Sequence, residues 1–419
     1  MTLTTTAQHK PAAAPLAFDT TDAGFVGDPY PRYTELRESP DLHRSRDGLW
    51  VLTRHADVLT ALRDPRLSSN PRHVDPSRER RGAASLLGDL DIQLMLTADA
   101  PDHTRLRRLA NKAFTPRAVE ALRPRVTELV DAMLDEAAAH GEVDLMAAIA
   151  EPLPVMVICE LLGVPAADWD QFKPWSTAIG RVLDAEADPE TMNEAVPAVM
   201  GFVQYFAGLI EERRSDPRAD LLSALIAAGD EGDKLSEREL FAMIILLFIA
   251  GHETTTNLLG NGTLALLRHR GQLDALRADP SLAVAATEEL LRYDAPVQIT
   301  ARTATEALEI NGLSLDAGEG IICGLAAANR DPRHVDEPDE LRLERGRPTH
   351  LAFGNGMHHC LGAPLARLEG QVVFDRLARR FPAMELADER PPYRDHFVLR
   401  GLVSLTVALG DDAGTQAPA

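Results

Sequence analysis

The sequence predicts a mainly α-helical protein with a minor β region, and three observations carry that prediction. From Pro116 to Ser215 one segment of helical period follows another with short breaks between them. From Ser236 the pattern becomes apolar on every side, as in a helix that is buried all round. Past Pro296 the text turns extended, with Asn311-Gly312 between two apolar runs as a hairpin turn. A chain of 419 residues with 45% apolar content can bury a large core, in one big domain or two closely joined ones.

Composition narrows the function classes. A formal charge of −21 speaks against nucleic acid, whose phosphates need a basic footprint. Of the cysteines Cys159, Cys323 and Cys360, the first two lie in apolar runs, so no disulfide framework follows and a reducing cytoplasm is expected. The first twenty residues, rich in Thr, Ala and Pro, read as a disordered arm without an export leader, and 410–419 as a flexible tail. The longest apolar run, Phe241 to Ala250, is about half a bilayer span, so a soluble protein without a membrane partner is expected.

In chain order, Tyr30, Tyr33 and Leu36 recur at near-helical spacing within Asp28 to Ser39, Trp50 to Thr53 reads as a strand, and Ala56 to Arg63 as a helix. Leu67 to Asp91 breaks into Pro, Arg, Ser and Gly, a long loop made basic by Arg72, Arg78, Arg80 and Arg81. That loop is either solvated or recognises an anionic or carbonyl-bearing substrate. Pro101 to Ala113 is a helix with Asp99 or Asp102 near its start, and it places His103 and Arg107 on one face. Arg105, Arg108 and Lys112 crowd the same segment, by default a solvated face. Helices are expected at Ala118 to His140, Pro154 to Leu162, Trp169 to Leu183 and Met192 to Arg214, with Asp184 to Glu190 as a mobile connection.

Ser236 and Glu239 form a capping box at the start of the longest helix. In its middle the text changes to Gly251, His252, Glu253, Thr254, Thr255 and Thr256. A carboxylate and three hydroxyls inside a buried helix break the local rules, and Thr can back-bond to a carbonyl four residues earlier and bend the axis. The segment is either a polar contact between helices or a functional site. Leu282 to Tyr293 is a further helix, carrying Glu289 and Arg292 within pairing distance. Extended segments follow at Val297 to Thr303, Ala307 to Ile310 and Leu313 to Leu315, and a last hairpin at Phe397 to Val407.

The stretch Phe353 to Gly362 is a loop built around one cysteine. Gly354 and Gly356 open backbone conformations closed to other residues. A helical pattern starting at Cys360 would aim free N–H groups and the positive end of its dipole at the sulfur, favouring the thiolate. A zinc site using His358, His359 and Cys360 is disfavoured, because contiguous ligands wrap poorly around a tetrahedral ion.

The order Phe-Gly-x-Gly-x-His-x-Cys-x-Gly, at Phe353, Gly354, Gly356, His358, Cys360 and Gly362, is similar to the haem-binding signature of cytochrome P450 monooxygenases. Ala250 to Thr255 resembles the oxygen-binding segment of that family's central helix, and the likeness runs from about Phe25 to about Leu409. Asp316-Ala317-Gly318 stands where the family usually has Pro-Ala-Gly, and Val335 and Leu341 where it has aromatic residues. The resemblance implies a single triangular P450 unit over 21–409, with haem b clamped between the Gly251/Thr254 helix and the helix following Cys360. It implies Cys360 as axial iron ligand, Ala250 and Gly251 beside the haem, and His103, Arg107, Arg302 and His358 on its propionates. Glu253 and Thr254 would relay protons to bound O2, while Glu289, Arg292 and Arg345 would form a structural triad. Leu246, Ala250, Val297, Thr300, Val398 and Leu399 would line the substrate pocket. The implied activity is monooxygenation of an apolar small molecule, in secondary metabolism, by a cytoplasmic monomer. NAD(P)H would supply the electrons through a reductase and an acidic ferredoxin docked on Arg105, Arg108, Lys112 and Arg367. A peroxide-driven peroxygenase and a non-catalytic haem sensor or carrier are the rival readings, and the intact Glu253-Thr254 pair disfavours the carrier.

Overall fold

The computed structural model describes residues 18–74, 94–172, 174–175, 178, 189–230 and 233–413. Most of the expected arm, the Arg78, Arg80 and Arg81 part of the basic loop and most of the expected lid break lie outside these residues, as do 414–419. At both ends the folded unit reaches past its expected limits. Phe18 packs edge-on against Phe25 and Phe397 in the core, and Asp412 is paired with Arg380.

The architecture is built around the helix Glu237–Arg268. Its capping box forms as the sequence requires: the Ser236 hydroxyl accepts from the Glu239 amide at 3.3 Å and the Glu239 carboxylate accepts from the Ser236 amide at 2.8 Å. Among the helices packed on it are Pro152–Leu162, Ala283–Tyr293 and Ala363–Arg380, the last of which follows the cysteine loop. By length and apolarity the central helix could cross a membrane, yet 72% of its most apolar window is buried inside this fold. Its apolar character is that of a core helix.

A five-stranded sheet runs in the order His43–Arg44, Trp50–Leu52, Gly320–Gly324, Ile299–Ala304, Leu67–Ser68. Its central strand is parallel to Trp50–Leu52 and antiparallel to Ile299–Ala304, with Ile321 opposite Arg302. A second core of Val58, Leu62, Leu308, Leu315, Ile321 and Leu351 closes one face. The hairpin Leu308–Ile310 to Leu313–Leu315 turns on Asn311 and Gly312 at φ 49° and 82°, the two positive angles that an Asn-Gly type I′ turn needs.

Four expected boundaries are corrected. Ala118 to His140 splits into Pro116–Glu120 and Arg123–Ala138, because Pro124 opens a helix and cannot continue one. Pro364 does the same after the cysteine loop, so that helix begins at Ala363 and Cys360 stands outside it. Where an α-helix was expected from Trp169, Ala166–Gln171 is 3-10, with the Trp169 indole turned back to donate to the Val164 carbonyl at 3.0 Å. In place of a regular hairpin over Phe397 to Val407 there are isolated bridges, Val297 to Leu399 and Tyr393 to Leu402. Thr406–Ala408 pairs instead with Glu142–Asp144 and Glu385–Leu386. The bridged segment is fixed by Arg400, which donates to Asp294 at 3.0 Å and to the Val26 carbonyl at 2.8 Å.

His55 is buried with its ring stacked on His334 at 3.5 Å, and burial first, then the neighbouring imidazole, pushes it down from 6.5 to about 4. Between those values the unfolded chain binds the proton and the folded one does not, so stability falls as pH drops from 6.5 to about 4. This group should contribute up to about 3 kcal/mol of that loss. Urea denaturation of His55→Gln across this range should show a flatter pH dependence than the parent; an unchanged slope would contradict the assignment.

Candidate active site

The cysteine loop is held from both sides. Gly354 and Gly356 adopt φ 65° and 71°, and a Cβ at Gly356 would lie 2.3 Å from the Leu62 carbonyl oxygen. Only glycine lets the loop lie against the end of His55–Arg63 in that conformation. The Cys360 amide donates back to the Phe353 carbonyl at 2.9 Å, closing the loop. The sulfur receives the amides of Gly362 and Ala363 and feels Arg107 and Arg367, all of which favour the thiolate, but the protein packed around the accessible thiol desolvates it more strongly, and it titrates above its ordinary range. That corrects the expectation that the loop and the helix end alone make an anion. A metal cation on the sulfur deprotonates a coordinating thiol outright.

Beside the sulfur lies a cluster of nitrogen donors. The rings of His103 and His358 stand 4.3 Å apart, and Ser69 Oγ is 3.0 Å from His358 Nε2. Arg302 is buried on its strand and oriented by donating to Thr300 Oγ1 at 3.0 Å and to the Ala301 carbonyl at 2.7 Å. Burial, with His103 and Arg302 nearby, drives His358 down to about 4; burial and Arg107 lower His103, and burial lowers Arg107 and Arg302. Asp99 is the carboxylate that opposes these shifts at His103, Arg302 and His358, and its oxygens also take the Ser68 hydroxyl and lie 3.2 Å from His73. Four cationic or potentially cationic groups, all disfavoured by burial and the two imidazoles also by their neighbours, form a receptor for an anion, and a dicarboxylate suits it. Together with the accessible thiol, this donor set fits a haem carrying two propionates.

On the central helix, Ala250 is exposed and Gly251, Glu253 and Thr254 are half-buried, an opening in a helix otherwise enclosed. Thr254 donates to the Ala250 carbonyl at 2.7 Å, the expected back-bond. Gly251 serves packing: a Cβ there would lie 2.8 Å from Ile158 Cδ1 on the neighbouring helix. Glu253 accepts from Arg394 at 3.3 Å, and the other arm of that guanidinium reaches Glu151 at 3.1 Å. Arg394 was missed from the sequence, and no local pattern flags it, since its partners lie 141 and 243 residues away in the chain.

The expected pocket residues fall into two groups. Leu246 and Ala250 share the central helix, while Val297, Val398 and Leu399 meet where the bridged segment lies on Pro296 to Gln298. The Thr300 hydroxyl accepts from Arg302 at 3.0 Å. Glu289, Arg292 and Arg345 do form a buried triad: Arg292 grips both Glu289 oxygens at 2.8 Å and Arg345 adds a third contact at 3.1 Å. Of the expected docking cations, Arg105 is paired with Asp233 and Glu239, and Arg367 with Glu288. Arg108 is also paired, with Asp233 at 3.6 Å, and with Lys112 it borders a hollow of about 460 Å³ that His103, Arg107, Asn111 and Met357 line as well.

Comparison with known proteins matches residues 48–407 to the family model described as cytochrome P450. The chain is 44% identical to the vitamin D(3) 25-hydroxylase of Pseudonocardia autotrophica over 98% of both chains. It is 40% identical to the 6-deoxyerythronolide B hydroxylase of Saccharopolyspora erythraea over 92% of this chain and 97% of the relative. Among solved structures, the bacillaene polyketide synthase P450 PksS of Bacillus subtilis superposes with a TM-score of 0.86 at 39% identity, covering 94% of this chain and 99% of that one.

Proposed function

The chain belongs to the cytochrome P450 family and is a haem-thiolate monooxygenase, and we propose that it hydroxylates or epoxidises a large apolar secondary metabolite at a site built by Cys360, Thr254 and Glu253. The observation that carries this reading is the pairing of an accessible thiol with the His103, Arg107, Arg302 and His358 cluster. Relatives named for a vitamin D(3) hydroxylation and for a 6-deoxyerythronolide B hydroxylation support a bulky, mostly hydrocarbon substrate of the polyketide or terpenoid kind. The aliphatic lining of Leu246, Val297, Val398 and Leu399 suits such a molecule, since burial of its surface supplies the affinity.

Bound through Cys360, haem supplies the iron chemistry that activates O2. The chain's own contribution is to orient the haem and deliver protons. His103, Arg107, Arg302 and His358 hold the propionates, and on binding them the depressed imidazoles regain basicity. Thr254 presents a hydroxyl on the opened turn of the central helix, and Glu253, held by Arg394, connects that hydroxyl to the protein exterior. The protein works in the cytoplasm and takes its electrons from NAD(P)H through an acidic ferredoxin. The ferredoxin docks at the Arg108, Lys112 and Met357 hollow, where local positive charge on a chain of net −21 steers an acidic partner.

Positioned proton delivery contributes about 10²–10⁴-fold, so Thr254→Ala should leave substrate binding and NADPH consumption in place while hydrogen peroxide replaces most of the oxygenated product. Wild-type coupling in that variant would remove Thr254 from the relay. The docking assignment predicts that the ferredoxin-to-haem reduction rate falls with rising salt and falls again in Arg108→Glu; a rate indifferent to both would refute it.

A further inference from the structure

The helix Ala283–Tyr293 carries two adjacent buried carboxylates with different tasks. Glu289 is consumed by the triad, whereas Glu288 faces the cysteine loop. Arg367, in the helix after that loop, grips Glu288 with both arms of its guanidinium, Nε to Oε1 at 2.6 Å and Nη2 to Oε2 at 3.0 Å. From the other end of the loop His350 places Nε2 3.2 Å from Glu288 Oε2. His350 Nδ1 accepts the Ala352 amide at 3.2 Å, which leaves Nε2 as the nitrogen that donates to the carboxylate. Burial raises the Glu288 carboxyl, but the bonds from His350 and Arg367 outweigh it and hold it at about 2, ionised through the physiological range.

Between these two arms lies Phe353. The Arg367 guanidinium sits 4.5 Å from its ring centroid and the His350 ring 5.8 Å away. The Phe353 carbonyl in turn takes the Cys360 amide at 2.9 Å. One carboxylate thus gathers a residue before the loop and a residue after it, and the residue whose ring they hold accepts, on its backbone carbonyl, the hydrogen bond from the cysteine amide. An Arg–carboxylate fork fixes direction as well as distance, which a single point charge does not.

We infer that Glu288 is a positioning residue for Cys360: with Arg367 and His350 it clamps Phe353 and keeps the sulfur in its ligating place, and Arg367 belongs to this clamp rather than to a docking surface. The inference rests on the reading of Cys360 as axial ligand and adds to it the device that holds the ligand there. Glu288, Arg367 and His350 need not touch the haem for it to hold.

The test is the carbon monoxide spectrum of the reduced holoenzyme, which separates thiolate-ligated haem from haem bearing a neutral thiol. Glu288→Gln and Arg367→Ala should each raise the neutral-thiol fraction several-fold. Arg367→Lys, which keeps the charge but loses the fork, should fall between them and the parent. Leu377→Ala, a core truncation in the same helix away from the loop, is the control for general destabilisation, compared at equal distance below each thermal midpoint. A parent-like spectrum in Glu288→Gln, or an equal shift in Leu377→Ala, would overturn the clamp. If Glu288→Gln yields no folded protein, Arg367→Lys decides on the same readout. An Arg367→Ala protein that keeps the thiolate spectrum and changes only the salt dependence of its reduction would return Arg367 to docking. Failure of the ligand reading looks different: the parent itself, or Cys360→Ala, would then give a signal that does not depend on the sulfur.

Discussion

Two neighbouring carboxylates on one buried helix turn, Glu288 and Glu289, hold the proximal half of the molecule in register. Taking ions out of water costs several kcal/mol each, and the cost is offset only where geometry is good and every remaining lone pair is used. Glu289 meets that condition through Arg292, Arg345 and the Arg342 amide, and Arg292 goes on to the carbonyls of Pro338 and Glu340. The irregular stretch from Asn329 to Arg345 is therefore tied to a helix by charge-assisted bonds. Glu288 continues the same attachment into the cysteine loop.

The distal side solves a different problem. The central helix supports the core along most of its length, yet near Ala250 it exposes backbone and polar groups. Gly251 gives up its side chain so that Ile158 can approach, and Thr254 bonds back to the Ala250 carbonyl. Glu253 is not left to solvent: Arg394 joins it to Glu151, and Arg394 is itself fixed by its Nε bond to the Leu402 carbonyl at 3.2 Å. The Glu253 carboxylate and the segment around Leu399 are thereby mechanically connected, since both depend on how the bridged chain from Tyr393 to Leu402 lies.

Much of this was legible in the sequence where the signal is local. The Ser236 capping box, the Asn311-Gly312 turn and the Glu289–Arg292 pair each depend on residues close in the chain, and each forms as read. Pro124 and Pro364 were equally local and were under-used: each marks a helix start that periodicity alone ran through. What could not be read depends on distant partners. Arg367 looks like a surface cation until Glu288, 79 residues earlier, is placed beside it, and Arg394 looks unremarkable until Glu253 is. The thiol of Cys360 shows the limit of motif logic in another way, since its amide donors are present as expected but desolvation outweighs them.

Every role proposed for the site depends on the bond between Cys360 and iron. Resonance Raman spectroscopy of the ferric holoenzyme, prepared with natural and with ³⁴S-labelled cysteine, measures that bond directly. An iron–sulfur stretching band that moves to lower frequency on labelling and vanishes in Cys360→His is the predicted result. A haem-loaded protein with no isotope-sensitive band, or one whose band survives the loss of Cys360, would contradict it.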